Sequence, residues 1–216
     1  MMHDELLRSL FASGDSDGRY FGVVVGIVTN NHDPDNMHRV KVRFPWLAPD
    51  DESNWARVAS AMAGNGRGAY FLPEVDDEVL VAFEHGSVEH PYVIGSLWNG
   101  RDSAPESNAN GNNDNRAFRS RSGHVIRMSD KAGQETVEII DKTGNNRVVI
   151  SAADNSIAIE AMGDIAIRSK TGKVTIEAVG VEIDSKADVK VQAMTTIDAT
   201  ATATMDLKGA MINLNS

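Results

Sequence analysis

Apolar and polar residues alternate along this chain in two rhythms, and the change from one to the other falls near its middle. In "RVKVRF", residues 39 to 44, Val40, Val42 and Phe44 alternate with Arg39, Lys41 and Arg43, so a strand here has one dry and one wet face. The runs "FGVVVGIVTN" (21 to 30), "WARVASA" (55 to 61), "EVLVAFEH" (78 to 85) and "PYVIGSLW" (91 to 98) carry the same strand character. Between them "NNHDPDN", "APDDES", "AGNGRGAYFLPEVDD" and "GSVEH" are turn chemistry. Five short strands in about 80 residues predict a small closed barrel, and an OB-type Greek-key barrel is the commonest with that strand count. Ahead of them "HDELLRSLFA" puts Leu7, Leu10 and Phe11 at i, i+3 and i+4, one face of a short helix stopped by Gly14. A helix of that length needs a surface to lie on.

The second rhythm is a repeat. Apolar pairs at i, i+2 begin at Val148, Ile157, Ile165, Val174, Val181, Val189, Ile197, Met205 and Ile212, and their partners are Ile150, Ile159, Ile167, Ile176, Ile183, Val191, Ala199, Leu207 and Leu214. The spacing averages eight residues. Side chains at i and i+2 share a strand face, so each octad offers one very short strand with two inward aliphatics. The residue between them, such as Thr175, Glu182, Lys190, Asp198, Asp206 or Asn213, points outward and is polar. Turns are predicted at "DKTGNN", "SAADNS", "AMGD", "SKTGK", "AVG" and "SKAD". The pattern is that of a β-solenoid. Two arrangements bury the pairs. A single chain could coil with three octads per turn, giving only about three coils, few for a solenoid without caps. Alternatively, three chains each supply one side of a triangular prism, which buries every pair.

Composition sharpens the division. All twelve aromatics and all six prolines lie within residues 1 to 118. Their absence from the repeat suits a threefold axis, where converging side chains leave room only for aliphatics. The small polar stretch "NANGNNDN", 108 to 115, reads as a linker. Residues 1–19 are thus expected as an N-terminal helical docking segment, 20–100 as the barrel, 101–118 as a linker and 119–216 as the repeat. Of the net charge of −10, nearly all belongs to the first half. That half should repel phosphate backbones. The chain has no cysteine, which excludes disulfides, thiolate metal sites and a cysteine nucleophile. Its start lacks a basic and apolar leader pattern, so assembly in the cytoplasm without a signal peptide is expected.

Candidate chemistry is sparse. "AGNGRG", 63 to 68, lacks the Lys-Ser/Thr of a phosphate-binding loop and has no helix behind it, so it reads as a turn. Asp76, Asp77 and Glu78 are consecutive in a turn and cannot face each other as acid and base, while Glu84 stands apart. His32, His38, His85 and His90 lack metal-ligand spacing, and there is no G-x-S-x-G elbow. Trp46, Trp55, Trp98 and Tyr92 could stack on bases, but such a platform normally lies in an electropositive groove. No catalytic residue, metal site or cofactor is expected.

Residues 39 to 100, with "RVKVRFPW", "WARV", the glycine loop, "LPEVDDEVLVAFEHG" and "HPYVIGSLWNG" in order, resemble the OB domain of contractile-tail spikes: the phage baseplate V proteins, the gp5-type spikes and the VgrG proteins of type VI secretion. Asp76 stands where that family usually has glycine, at a turn Asp tolerates. "SGHVIRMSDKAGQE", from Ser122, resembles the segment with which such spikes leave the OB domain and begin the needle. The resemblance implies an all-β, homotrimeric spike: an OB barrel followed by an intertwined triple-stranded β-helix with the paired residues above inside. It further implies a non-enzymatic role in piercing a target envelope when a sheath contracts, as part of a phage-like particle or injection apparatus. The expected partners are two further copies, a hub protein at Leu7, Leu10 and Phe11, and a PAAR-type tip protein at the "MINLNS" end, with effector cargo and transient contact with the target membrane as further possibilities. No nucleic-acid partner is expected. The rival expectation is a tailspike-like β-helix that cleaves or binds polysaccharide.

Overall fold

The computed structural model describes residues 18–213. Five of its strands are the five the alternation predicts: β1 (Val23–Asn30), β2 (Arg39–Phe44), β4 (Ala56–Val58), β7 (Glu78–Phe83) and β8 (Pro91–Ser96). They close a ring in the order β1-β2-β4-β8-β7 and back to β1. Every contact in the ring is antiparallel except β4 with β8, which is parallel. A sheet whose two ends pair with each other has no free edge in the ring. That is the five-stranded Greek-key barrel of OB type. Its core is Val28, Val40, Val42, Phe44, Ala56, Val79, Val81, Phe83 and Val93. In β2 and β7 every second residue is buried, as the alternation requires. Gly26 is needed at the packed wall, because a Cβ there would lie 3.3 Å from both Phe44 Cε1 and Val81 Cγ2.

Two short features lie inside segments expected to be turns. "APDDE" forms β3 (Ala48–Glu52), which flanks β2 outside the ring. The glycine loop is a hairpin of β5 (Ala63–Gly64) and β6 (Arg67–Gly68). Both are too short or too polar to show a strand period. The turn before β7 does contain a left-handed Asp76, φ 75°, whose N–H donates to the Val28 carbonyl at 2.9 Å.

A second sheet follows: β9 (Asn115–Arg119), β10 (Val125–Ser129), β11 (Thr136–Ile140), β12 (Arg147–Ser151) and β13 (Ser156–Glu160). They form an antiparallel meander in chain order. Its first strand starts four residues before the boundary expected at 119, and its pairing lies wholly within one chain. The turns explain why. Gly123, Gly133, Gly144 and Asn155 all take positive φ, the left-handed conformation that lets a chain reverse tightly. The barrel and this sheet meet through Phe71 and Phe118, whose rings stack at 5.7 Å and 15°, and through Arg121 and Glu74 at 2.7 Å.

By contacts the chain divides into two units, 1–163 and 164–216. Among the described residues from 161 onward there is no strand ladder within the chain. Instead the backbone bends at 162–163, 170–172, 179, 186–187, 194–195, 202–203 and 210. The first four coincide with the predicted turns "AMGD", "SKTGK", "AVG" and "SKAD". Of the later three only the last has a neighbouring glycine, Gly209, yet all keep the spacing of about eight.

Candidate functional site

The sheet β9–β13 has two unlike faces. Registered across its strands, one row reads Phe118, Ile126, Ile139, Val148, Ile159, and the next reads Arg116, Met128, Val137, Ile150, Ile157. All but one of these are apolar, and most remain exposed: Ile126 by 50%, Ile139 by 55%, Ile157 by 69% and Ile159 by 62%. The reverse face carries the ion pair of Arg127 with Glu138, whose Oε2 accepts from Arg127 Nε and Nη2 at 2.8 and 2.6 Å. Glu106, from the segment expected to be a linker, lies 3.8 Å from the same guanidinium and accepts from Asn115 Nδ2 at 3.1 Å. The chain therefore satisfies its polar face and leaves its apolar face open. A contiguous exposed apolar face of this kind marks an interaction surface.

The pattern continues along the sequence. Ile165, Ile167, Val174, Ile176, Val181, Ile183, Val189, Val191, Ile197, Met205, Leu207 and Ile212 are each between 49% and 75% exposed. Leu214, and Leu7, Leu10 and Phe11 of the expected hub-docking face, lie outside the described residues. Of the predicted inward residues, the sheet brings together Val148, Ile150, Ile157 and Ile159, with Val148 opposite Ile159 and Ile150 opposite Ile157. It adds Phe118, Ile126, Met128, Val137 and Ile139, which the octad search did not reach. Their signal was present: Ile126 with Met128 and Val137 with Ile139 are the same i, i+2 pairs, separated by a longer turn.

Several polar groups in and near the barrel are held by partners within the chain. Asp33, with its side chain 4% exposed, accepts from Arg39 Nε at 2.8 Å and Arg39 Nη2 at 2.7 Å. The backbone N–H groups of Asp35, Met37 and Arg39 donate to it as well. The Arg39 fork, reinforced by those N–H groups, holds the Asp33 carboxyl well below the usual carboxylate range and raises the arginine in turn. The hydrogen bond from Lys41 lowers Glu52 in the same way. In the sheet, Asp141 takes the Thr143 hydroxyl and the N–H groups of Asn146, and the Thr143 bond leads in pulling its pKa down to about 2. Three of the four carboxylates considered for catalysis have local partners: Asp77 accepts the Glu74 N–H, Glu78 the Asn99 amide and Glu84 the Tyr92 hydroxyl. Among the described residues no three His, Asp or Glu side chains gather as a metal site. None of their helices is long and apolar enough to cross a membrane.

An OB barrel leading into a sheet with one open apolar face defines an assembly protein, whose surface is built to be covered. Residues 24–98 match the type VI secretion system/phage-baseplate injector OB domain. The chain is 32% identical over 151 residues to the type VI secretion system spike protein VgrG1a of Pseudomonas aeruginosa, covering 65% of this chain and 24% of that one. It is 34% identical over 133 residues to VgrG1c of the same organism, 56% of this chain and 18% of the relative. To VgrG3 of Vibrio cholerae it is 36% identical over 93 residues, 41% of this chain and 9% of the relative. The chain thus spans a quarter or less of these relatives' length. Residues 24–98 belong to the phage-baseplate and type VI injector OB-domain family, and the chain is similar to VgrG-type spike proteins over the stretches given.

Proposed function

We propose that three copies of this chain assemble into the central spike of a contractile injection apparatus, with residues 164 onward as an intertwined three-chain shaft. The observation that carries this is the octad row: its aliphatics are half to three-quarters exposed and its backbone has no ladder within the chain. Extended octads of this kind need strand partners and a dry interior, and two further copies supply both. The seven pairs from Ile165 onward, stacked at the spacing of about 4.8 Å per strand, would give a shaft on the order of 30 Å. The part it plays is mechanical and non-enzymatic. Contraction of a sheath drives the spike through the target envelope, and strands paired between interlocked chains resist unfolding under load. The acidic barrel faces the hub, with Leu7, Leu10 and Phe11 as the docking face. The end beyond Ile212 receives a PAAR-type tip protein, and cargo travels with it.

Sedimentation equilibrium of the full chain tests the proposal. A mass three times that of the 23.3 kDa chain is expected, and a monomer at micromolar concentration would overturn it. Turnover of cell-wall or capsule glycans, lost on changing a single carboxylate, would overturn the non-enzymatic part.

A further inference from the structure

Two regimes of pairing meet near Glu160. Up to β13 every strand of the meander finds its neighbour in the same chain, whereas the described residues beyond it find none. We propose that the apolar face of β9–β13 is the first contact between copies of this chain, forming a three-sheet collar that sets the register in which the octads then pair. This rests on the three-chain reading above and goes beyond it by separating where assembly starts from where it finishes.

The occupant of the face is a second copy for three reasons. The open rows carry the same i, i+2 aliphatic pairs that continue along the sequence as octads from Ile165, for which the reading above already takes further copies as the partner. On the reverse face Glu106 of the preceding segment already reaches Arg127 and Asn115, and Arg127 pairs with Glu138, whereas the apolar rows lack such polar pairing and stay largely exposed. The one aromatic in the rows, Phe118, is stacked on Phe71 at the barrel end. There an open groove of about 1210 Å³, lined by Phe71, Trp98, Pro105, Phe118, Ile126 and Ile139, gives the neighbour's sheet a place to seat.

Register is the problem such a collar solves. The octads are nearly uniform, so a slip of one octad between chains sets Val and Ile against Val and Ile again, and side-chain matching alone penalises the error little. The meander is not uniform. Its hairpins are fixed by their own turns, and its rows start with Arg116 and Phe118 and run to Ile157 and Ile159, so three copies match in one alignment only. The sheet can also form before any encounter, because its ladder needs no second chain.

The test uses the full chain with two substitutions. Ile139→Asp places a charge in the middle of the collar face, and Ile183→Asp places one inside the shaft. With a trimeric wild type, Ile139→Asp is expected to be a monomer that keeps the near-ultraviolet signal of the folded barrel. Ile183→Asp should stay trimeric, with its shaft cleaved by protease at least tenfold faster. A trimeric Ile139→Asp, or a monomeric Ile183→Asp, would overturn the collar. A monomeric wild type would instead overturn the three-chain reading itself. Should Ile139→Asp lose the barrel signal, the milder pair decides: Ile139→Ala should slow assembly after dilution from denaturant about tenfold and Ile183→Ala less than about twofold, since only contacts formed in the rate-limiting step slow it. Equal slowing by both overturns the proposal.

Discussion

Ile176 offers the sharpest energetic test of the shaft. It is 74% exposed in the single chain, so in the proposed shaft about three-quarters of it would be covered by neighbouring copies. Replacing it by alanine removes three carbon groups, each contributing about 0.8 kcal/mol when fully buried, which comes to about 2 kcal/mol per chain and about 6 kcal/mol per trimer. Any cavity left on the axis adds to this. The neighbouring Thr175 should point outward, so Thr175→Ala should change stability by no more than about 0.5 kcal/mol. The comparison is made on the full chain at one protomer concentration, following the guanidinium midpoint by far-ultraviolet circular dichroism. The collar should keep both variants trimeric. A large drop for Ile176→Ala with little change for Thr175→Ala is expected. If Thr175→Ala costs as much as Ile176→Ala, or neither moves the midpoint, the inward face of the octads has been wrongly assigned.

The barrel and the sheet give further tests. Val81 is fully buried, so Val81→Ala should cost about 2–3 kcal/mol in the barrel's unfolding transition, measured by tryptophan fluorescence, and leave the trimer mass unchanged. Arg127→Ala removes a half-buried pair with Glu138 and should cost about 1 kcal/mol, seen in the melting of the collar. Asp141 has its pKa lowered from 3.8 to about 2. Its bonds therefore add stability that is fully present above about pH 4 and lost as the pH falls towards 2, and Asp141→Asn should flatten that acid loss in a midpoint-versus-pH series. Asp33, also lowered from its ordinary 3.8, loses its contribution in the same direction starting from about pH 4. Asp33→Asn should flatten the acid limb of the barrel transition while leaving the collar's unchanged.

The barrel was legible because its strands bury one face each. Alternation in "RVKVRF" and the apolar runs of β1 and β7 leave few other ways to hide Val40, Val42, Val79 and Val81, and the five predicted runs are the five ring strands. What escaped was β3, whose "APDDE" lies on the flank and has no alternation of apolar and polar residues to leave a period. The bends at 194–195, 202–203 and 210 escaped for a related reason. The first two carry Met194, Thr195, Thr202 and Ala203 in place of Gly or Asn, so spacing marks them and composition does not, while Gly209 beside the third was passed over. The meander was hidden by the octads themselves. An i, i+2 aliphatic pair reads the same whether its strand pairs within the chain or with another, and the turn glycines occur in both regions; the left-handed conformation of Gly123, Gly133, Gly144 and Asn155 sets the meander apart.

That last ambiguity has a physical consequence for how one chain can do two jobs. A strand pair closed by its own turn costs little loop entropy and can form in an isolated chain. A strand whose partners are other chains forms only once those chains are held at high effective concentration. Placing the self-paired sheet ahead of the unpaired octads supplies that concentration. It also places the barrel, whose nine-residue core is complete within the monomer, on the side that folds first. The segregation of aromatics fits the proposed shaft: the barrel core admits Phe44 and Phe83, whereas side chains of three copies converging on one axis would leave room only for Val, Ile, Leu and Met. An aromatic introduced in the shaft, Val181→Phe, should overfill the axis in three copies at once and cost several times the 1–3 kcal/mol typical of a single overpacked site. Its full-chain trimer should show early protease cleavage near residue 181, and a shaft as resistant as wild type would mean that the octads do not converge on a common axis.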